Sequence, residues 1–514
     1  MPRPRRACPA GAGVDGENPE GYTAPMFESA EVGLTVDKKE YVKRVTDLRT
    51  RILMAQHALA GTSLRLVVLV GGVEGGGKTE VARRFLDWMD PRGLRVEAYG
   101  EASDEEEERP EYWRYWRTLP PAGHGAIFVG SWYTRPIVKR TFKDIGSGGF
   151  DQALDRAMAF EAMLIREKTV VVKLWLHLSK KEQKRRFKEL ESDRDTAWRV
   201  TKQDWEFSKK YDRFREVCER ALTKTSTAES PWTVIEATDR RYRDLAAGEA
   251  VASALEGALE KAGKAAPKAA PDRAKPPKVS VLSRLDLGKK LEGGYAKKFE
   301  KQQTRVALLS RRLRKEGRSL ICAFEGVDAA GKGGAIRRLL GAIDVRNARV
   351  MAVAAPTDEE GAHPYLWRFW RQLPRLGKTT IFDRTWYGRV LVERVEGFCA
   401  PEDWKRAYAE IAAFEEELAE SGVIVCKFWL QISQEEQLRR FQDRVKTPFK
   451  QYKITEDDWR NRAKWDAYQA AAVDMIEKTS VPDAPWTLIE AEDKRWARLR
   501  VMKAVADRLE EELG

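Results

Sequence analysis

The chain has 514 residues, of which 34% are charged, and 93 Lys and Arg against 80 Asp and Glu leave a formal net charge of +13. That length corresponds to about two to four ordinary domains, and an aromatic content of 10%, with 17 Trp, excludes a disordered chain. No run approaches the roughly 20 apolar residues that a membrane-spanning helix needs. Residues 1–30 begin basic but have no apolar core of a secretory signal, and their Pro and Gly content reads as a flexible tail. The five cysteines are scattered, odd in number and without a C-x-x-C, which points to free thiols in a reducing cytoplasm. The four histidines form no i,i+4 pair and no zinc-like cluster, which argues against a zinc hydrolase.

Beyond the tail the chain is a tandem repeat. LVVLVGGVEGGGKTE around Lys78 and LICAFEGVDAAGKGG around Lys332 stand 254 residues apart, and the same offset pairs EYWRYWRTLP with YLWRFWRQLP, IFVGSWYTR with IFDRTWYGR, and PWTVIEATD with PWTLIEAED. A register kept from Tyr41/Tyr295 to Arg241/Arg495 means duplication without a net insertion. In the second copy the pattern predicts a helix over Tyr295–Leu313, then a strand at Leu320–Glu325, a glycine turn and a helix from Lys332. Further strands follow at Val350–Ala355, Thr380–Phe382, Val423–Ile432 and Thr487–Ile489, with a long charged helical stretch between the last two. Short β-branched runs alternating with helices predict an α/β fold, a parallel sheet covered on both faces. The expected organisation is a first domain over 31–258, an Ala/Pro/Lys linker over 259–283 and a second domain over 284–514.

An apolar strand, a glycine-rich turn and a Lys opening a helix form a phosphate cradle, because glycines let backbone N–H groups face phosphate oxygens at a helix N-terminus. In the first copy Gly72, Gly77, Lys78 and Thr79 satisfy G-x-x-x-x-G-K-[ST]; in the second, Gly326, Gly331 and Lys332 do, but Gly333 replaces the hydroxyl residue. Phosphoryl transfer also needs a cation, held in part by a carboxylate on a neighbouring strand. Here the copies part: Asp383 and Arg384 become Val129 and Gly130, and Asp328 becomes Glu74. The charged stretch changes with them. Residues 439–464 hold nine basic and four acidic side chains, the matched residues 185–210 eight and six, and Arg444, Lys446 and Lys450 become Leu190, Ser192 and Thr196. A solvated strand end and a solvated helix face are the plainer readings of Asp383 and this stretch; their joint loss in one copy favours a metal carboxylate and an anion-binding lid. Trp367 and Trp370 read as packing, with base stacking as the alternative, and Arg368 and Arg371 as the better substrate contacts.

The segments GVDAAGKGG, PYLWRFWRQLP, IFDRTWYGRVLVERVEGF, ITEDDWRNRAKWDAY and APWTLIEAEDK together resemble the polyphosphate kinase 2 family. The resemblance covers nearly all of the second copy and, more weakly, most of the first. It implies two tandem P-loop kinase-like three-layer α/β/α domains with parallel sheets and helical lids, the first degenerate. The fused pair resembles the branch that moves the terminal phosphoryl of inorganic polyphosphate to AMP, giving ADP, with Mg²⁺ as cofactor. Carried over, Asp328, Lys332, Asp383 and Arg384 are the expected catalytic residues, and Asp328 and Asp383 the metal ligands. Gly326, Ala329, Ala330, Gly331, Gly333, Arg368, Arg371, Arg389, Arg440, Arg444, Lys446 and Lys450 are expected to bind phosphate or nucleotide. The expected partners are polyphosphate and AMP or ADP, not nucleic acid or membrane, and a homo-oligomer is allowed. An ATP-dependent nucleoside monophosphate kinase and a non-catalytic polyphosphate-binding protein remain the competing readings.

Overall fold

The computed structural model describes residues 26–262, 274–448 and 454–514. Each copy builds one five-stranded, all-parallel sheet. The first comprises β1 (Arg65–Gly72), β2 (Leu94–Ala98), β3 (Gly125–Val129), β4 (Thr169–His177) and β5 (Trp232–Glu236), in the order β2-β3-β1-β4-β5. The second comprises β6 (Ser319–Gly326), β7 (Ala348–Ala352), β8 (Thr379–Asp383), β9 (Val423–Gln431) and β10 (Trp486–Glu490), in the same spatial order, β7-β8-β6-β9-β10. The central strands are buried almost end to end, as expected when helices cover both sheet faces. The edge strand β7 starts at Ala348 and ends at Ala352, earlier than the apolar run predicts, because it pairs with β8 from Thr379 to Asp383 and leaves the sheet there.

In each sheet the chain leaves the central strand toward one side and later returns to fill the other. A crevice therefore opens at the C-terminal end of β1 and of β6, the usual binding position in such sheets. Gly326 ends β6 at φ +140°, and a Cβ there would lie 2.4 Å from the Leu430 carbonyl oxygen on β9. Gly72 repeats this against Leu176, also at 2.4 Å. Only glycine lets the loop turn so close to the neighbouring strand.

One buried polar cluster ties the second sheet to the segment after β8. Lys427 on β9 donates to Glu415 at 2.7 Å and to the Thr479 carbonyl at 2.6 Å, while Trp386 Nε1 and Tyr387 Oη donate to Glu415 at 3.0 and 2.8 Å. Lys173 and Glu161, the matched residues, pair at 2.8 Å in the first half, where Trp132 also donates to Glu161.

The halves meet about a quasi-twofold axis. Trp116 and Trp370, matched by the repeat, stack on each other with ring centroids 5.6 Å apart. Ala122 N donates to the Ala362 oxygen at 2.7 Å, and the matched Leu376 N donates to the Glu108 oxygen at 3.2 Å. Such reciprocal pairs define an isologous contact. Two segments expected to be loose are partly packed. Phe27 is buried and stacks on the His177 ring, and the helix Arg240–Ala262 runs into the stretch assigned to the linker, whose Leu282 is buried in the core. The apolar side chains of Phe27 and Leu282 supply the reason: each removes its surface from water.

Removing one partner of a fully buried pair strands the other charge, at a cost of about 3–5 kcal/mol. Lys427→Met is therefore expected to lower unfolding stability by about that amount in chemical denaturation; a loss below about 1 kcal/mol, the scale of a surface pair, contradicts the role.

Candidate phosphoryl-transfer site

The loop after β6 places the side chains of the second half. Gly331 takes φ +109°, and from it springs the helix Lys332–Leu340. Lys332 Nζ folds back on the loop and donates to the Gly326 oxygen at 2.7 Å. Asp328 projects from the loop, where Arg384 Nη2 donates to its Oδ1 at 3.1 Å and Asn461 Nδ2 to its Oδ2 at 2.9 Å. Burial would raise the Asp328 carboxyl, but Lys332 and Arg384 outweigh it and hold it below the ordinary aspartate range. A cavity of about 90 Å³ lies here, walled by Glu325, Asp328, Arg384, Trp429, Asn461 and Tyr468 among others. Asp383 ends β8 beside it, half-buried and without a hydrogen bond or ion pair to its carboxylate among the described residues.

Three further residues at this cavity are not among those expected from the sequence. Glu325, buried on β6, accepts from Thr385 N and Oγ1 at 2.8 Å each, and burial holds its carboxyl above the ordinary range. Asn461 arrives on the lid helix Glu456–Ala463, and Tyr468 Oη donates to its Oδ1 at 3.0 Å. The offset comparison carried the signal: Glu325 aligns with Gly71, Asn461 with Phe207 and Tyr468 with Phe214, each a polar group absent from the first half.

The other expected residues are distributed differently. Ala329 and Ala330 form the loop, and Gly333 lies in the first helical turn with no atom within 4 Å of where its Cβ would be. Arg440 sits behind the loop, donating to the oxygens of Ala329, Ala330, Ala491 and Glu492 at 2.8–3.0 Å. Its match Arg186 holds the Gly75, Ala237 and Thr238 oxygens in the same way. Arg444 and Lys446 end the lid helix Gln434–Lys446, and Lys450 lies outside the described residues. Arg368, Arg371 and Arg389 do not line the cavity: they pair with Glu360 at 3.2 Å, Glu359 at 3.3 Å and Glu393 at 3.1 Å. Trp367 and Trp370 are buried, with Trp370 at the contact between halves, so packing is their observed role.

The first half keeps the cradle and lacks most of the polar wall. Its cavity, about 170 Å³, is lined by Gly71, Gly130, Val129, Trp175, Phe207 and Phe214 among others. Lys78 is drawn to Glu74 at 2.9 Å. The backbones differ as well. Ala329 and Arg384 hold left-handed φ values of 64° and 65°, where the first half has Gly75 at 80° and Gly130 at 80°. Side chains kept in that conformation cost about 1 kcal/mol or more and concentrate where a site needs them.

Two parallel α/β sheets, each with a glycine-rich phosphate loop feeding a helix and a helical lid above it, define a tandem P-loop kinase fold. The chain belongs to the polyphosphate kinase 2 family, whose sequence profile matches residues 35–263 and 290–513. It is 49% identical over 498 residues to a polyphosphate:AMP phosphotransferase of Pseudomonas aeruginosa, covering 94% of this chain and 99% of that protein. A polyphosphate:AMP phosphotransferase of Acinetobacter johnsonii is 36% identical, over 89% of this chain and 94% of its own. A crystal structure of a polyphosphate kinase 2 from Pseudomonas aeruginosa PA01 superposes with a TM-score of 0.85 at 46% identity, covering 95% of this chain and 99% of that one.

Arg384→Gly tests the strain. It relieves about 1 kcal/mol of backbone cost and removes an ion pair whose arginine is half-exposed, while the buried Asp328 carboxylate keeps Asn461 as a hydrogen-bond donor. Thermal unfolding is expected to stay level or rise; a loss beyond about 2 kcal/mol would place Arg384 among the residues that hold the fold together.

Proposed function

We propose that this chain transfers the terminal phosphoryl group of inorganic polyphosphate to AMP, giving ADP, and that the second half performs the reaction. The observation that carries this reading is that Asp328 and Arg384 pair at the cavity wall, with Lys332 folded onto the loop at Gly326 and Asp383 ending β8 next to Arg384, in a chain whose near-full-length relatives are polyphosphate:AMP phosphotransferases.

In the reaction an AMP phosphate oxygen attacks the terminal phosphorus of the donor. The bond from that phosphorus to its bridging oxygen breaks, and the shortened polyphosphate leaves with the electron pair. The attacking oxygen is already ionised at neutral pH, so no side chain has to remove its proton, in keeping with a cavity that offers no histidine or cysteine. Catalysis then rests on positioning and on offsetting charge. The loop N–H groups and Lys332 hold the donor's terminal phosphates, and Arg384 supplies positive charge opposite Asp328. Arg444 and Lys446 would face the donor from the end of the helix Gln434–Lys446. Arg440 acts indirectly by fixing the loop, and Arg368, Arg371 and Arg389 would reach a nucleotide only after releasing their carboxylates.

The donor set fits Mg²⁺. No cluster of three or more metal-binding side chains occurs among the described residues, and Mg²⁺ keeps most of its waters and substrate oxygens while taking one or two carboxylates. Asp383, unpartnered, and Asp328 would hold it; when bound it supplies charge that offsets the transferring phosphates. Among the described residues four cysteines are free thiols, which supports a reducing, cytoplasmic setting, and no helix is long and apolar enough to cross a membrane. Neither a membrane nor nucleic acid is needed as a partner.

Supplied with AMP and Mg²⁺, the protein is expected to form ADP from long-chain polyphosphate; turnover with ATP and none with polyphosphate would instead favour a nucleoside monophosphate kinase. Asp383→Asn is expected to cut ADP formation by on the order of 10²-fold with the fold intact. Activity within about threefold of the parent would make Asp383 a structural strand end.

A further inference from the structure

The first turn of the helix Lys332–Leu340 differs from its counterpart, Lys78–Trp88, in a way the catalytic residues do not require. In the first half this surface is closed and neutralised. Arg243 Nη1 would lie 2.0 Å from a Cβ on Gly77, so its guanidinium covers the loop glycine that opens the helix. Asp244 pairs with Arg243 at 2.8 Å and with Arg84 at 3.0 Å, and Glu80 in the same helical turn faces Arg199 at 3.7 Å. In the second half every one of these features is undone. Arg243 becomes Ala497, Glu80 becomes Gly334, and Asp244 becomes Arg498, a reversal of charge beside Arg338, the match of Arg84.

The geometry follows the substitutions. Gly333 leaves open space where a side chain would stand. The Arg498 guanidinium, from the helix Lys494–Leu513, lies over Gly334, its Nη2 3.4 Å from where a Cβ would be. Arg338 Nη1 donates to the Gly334 oxygen at 3.0 Å. Neither arginine forms an ion pair with a carboxylate among the described residues. Burial, and then the like charges of Arg338 and Arg440, hold Arg498 below the ordinary arginine value. Two half-buried guanidiniums kept side by side, without a carboxylate where the sister copy has one, are costly unless an anion joins them. Arg338 follows Lys332 by six positions on the same helix, and Arg498 meets that helix at Gly334, two positions beyond Lys332.

We infer that the internal phosphates of the polyphosphate donor, those behind the transferring group, leave the loop across Gly333 and Gly334 and lie on Arg338 and Arg498. This rests on polyphosphate being the donor, and it adds a subsite that distinguishes a long chain from a short one. A tripolyphosphate held at the loop ends before reaching it. A long chain engages both arginines, and each contact releases counterions, so binding gains both strength and salt dependence.

Binding of end-labelled long-chain polyphosphate to the full chain, without AMP, tests the subsite apart from turnover. The double variant Arg338→Gln/Arg498→Gln is expected to weaken that binding at least about tenfold and to reduce the slope of log affinity against log salt by about one to two. Tripolyphosphate affinity, measured by competition, is expected to change by less than about twofold. Arg498→Asp copies the first half, where the same pair of positions is tolerated as Arg84 and Asp244, and is expected to weaken long-chain binding with the fold retained. Unchanged long-chain binding in both folded variants, or an equal loss for tripolyphosphate, overturns the subsite. If the parent protein binds polyphosphate yet transfers nothing from it to AMP, the proposed reaction fails while the variants still decide the subsite.

Discussion

The pair of Lys427 with Glu415 is the contact on which the second half depends. Strand β9 supplies the lysine and the helix Pro401–Glu420 the carboxylate. The segment immediately after Asp383 and Arg384 supplies the Trp386 and Tyr387 donors that complete the carboxylate's shell. Two charges taken out of water are tolerated only with such full pairing. Because Trp386 and Tyr387 are bound to the cluster, the end of β8 is fixed, and with it the direction of Asp383 and Arg384. The first half keeps Lys173, Glu161 and Trp132 in the same arrangement although it has lost both of those residues. What both halves retain is thus the means of building the fold, and what separates them is the chemistry.

That separation runs through every layer of the site. The first half replaces Glu325, Arg384, Asn461 and Tyr468 with Gly71, Gly130, Phe207 and Phe214, trades the left-handed Ala329 for Gly75, and neutralises the arginine pair beside the loop. The changes are correlated because they answer one requirement. On the proposed function, a polyanion and a cation at the second loop need charge placed around them, and a loop that holds neither gains nothing from charge and strain. The first half stays packed on the second through the quasi-twofold contact. Trp116 packs on Trp370, and Glu167 of the first half pairs with Arg406 of the second.

Much of this was legible in the residues. The fixed offset gave the duplication, and the apolar runs gave each strand to within a few residues. The loss of Asp383 as Val129 located the difference between copies. Other features were out of reach for physical reasons. Arg368, Arg371 and Arg389 stand in a Trp-rich, basic segment whose composition serves a nucleotide and a protein contact equally well, and only the fold shows that their partners are Glu360, Glu359 and Glu393. An offset reveals which residues are equivalent but not that equivalent residues touch, so the Trp116–Trp370 stack could not be foreseen. Asn461 reaches Asp328 across 133 positions of sequence, through a lid whose closure no local pattern encodes.

On the proposed function, the less complete of the two phosphate-loop motifs performs the transfer. That assignment is tested most directly by comparing Lys78→Ala with Lys332→Ala in the full chain, both shown to be folded, for ADP formed from AMP and polyphosphate. Lys332→Ala is expected to lose on the order of 10²-fold or more. Lys78→Ala should stay within about threefold of the parent, since its lysine is neutralised by Glu74 and faces no metal carboxylate. Equal losses in the two variants would contradict it, and would mean that both loops take part in the reaction.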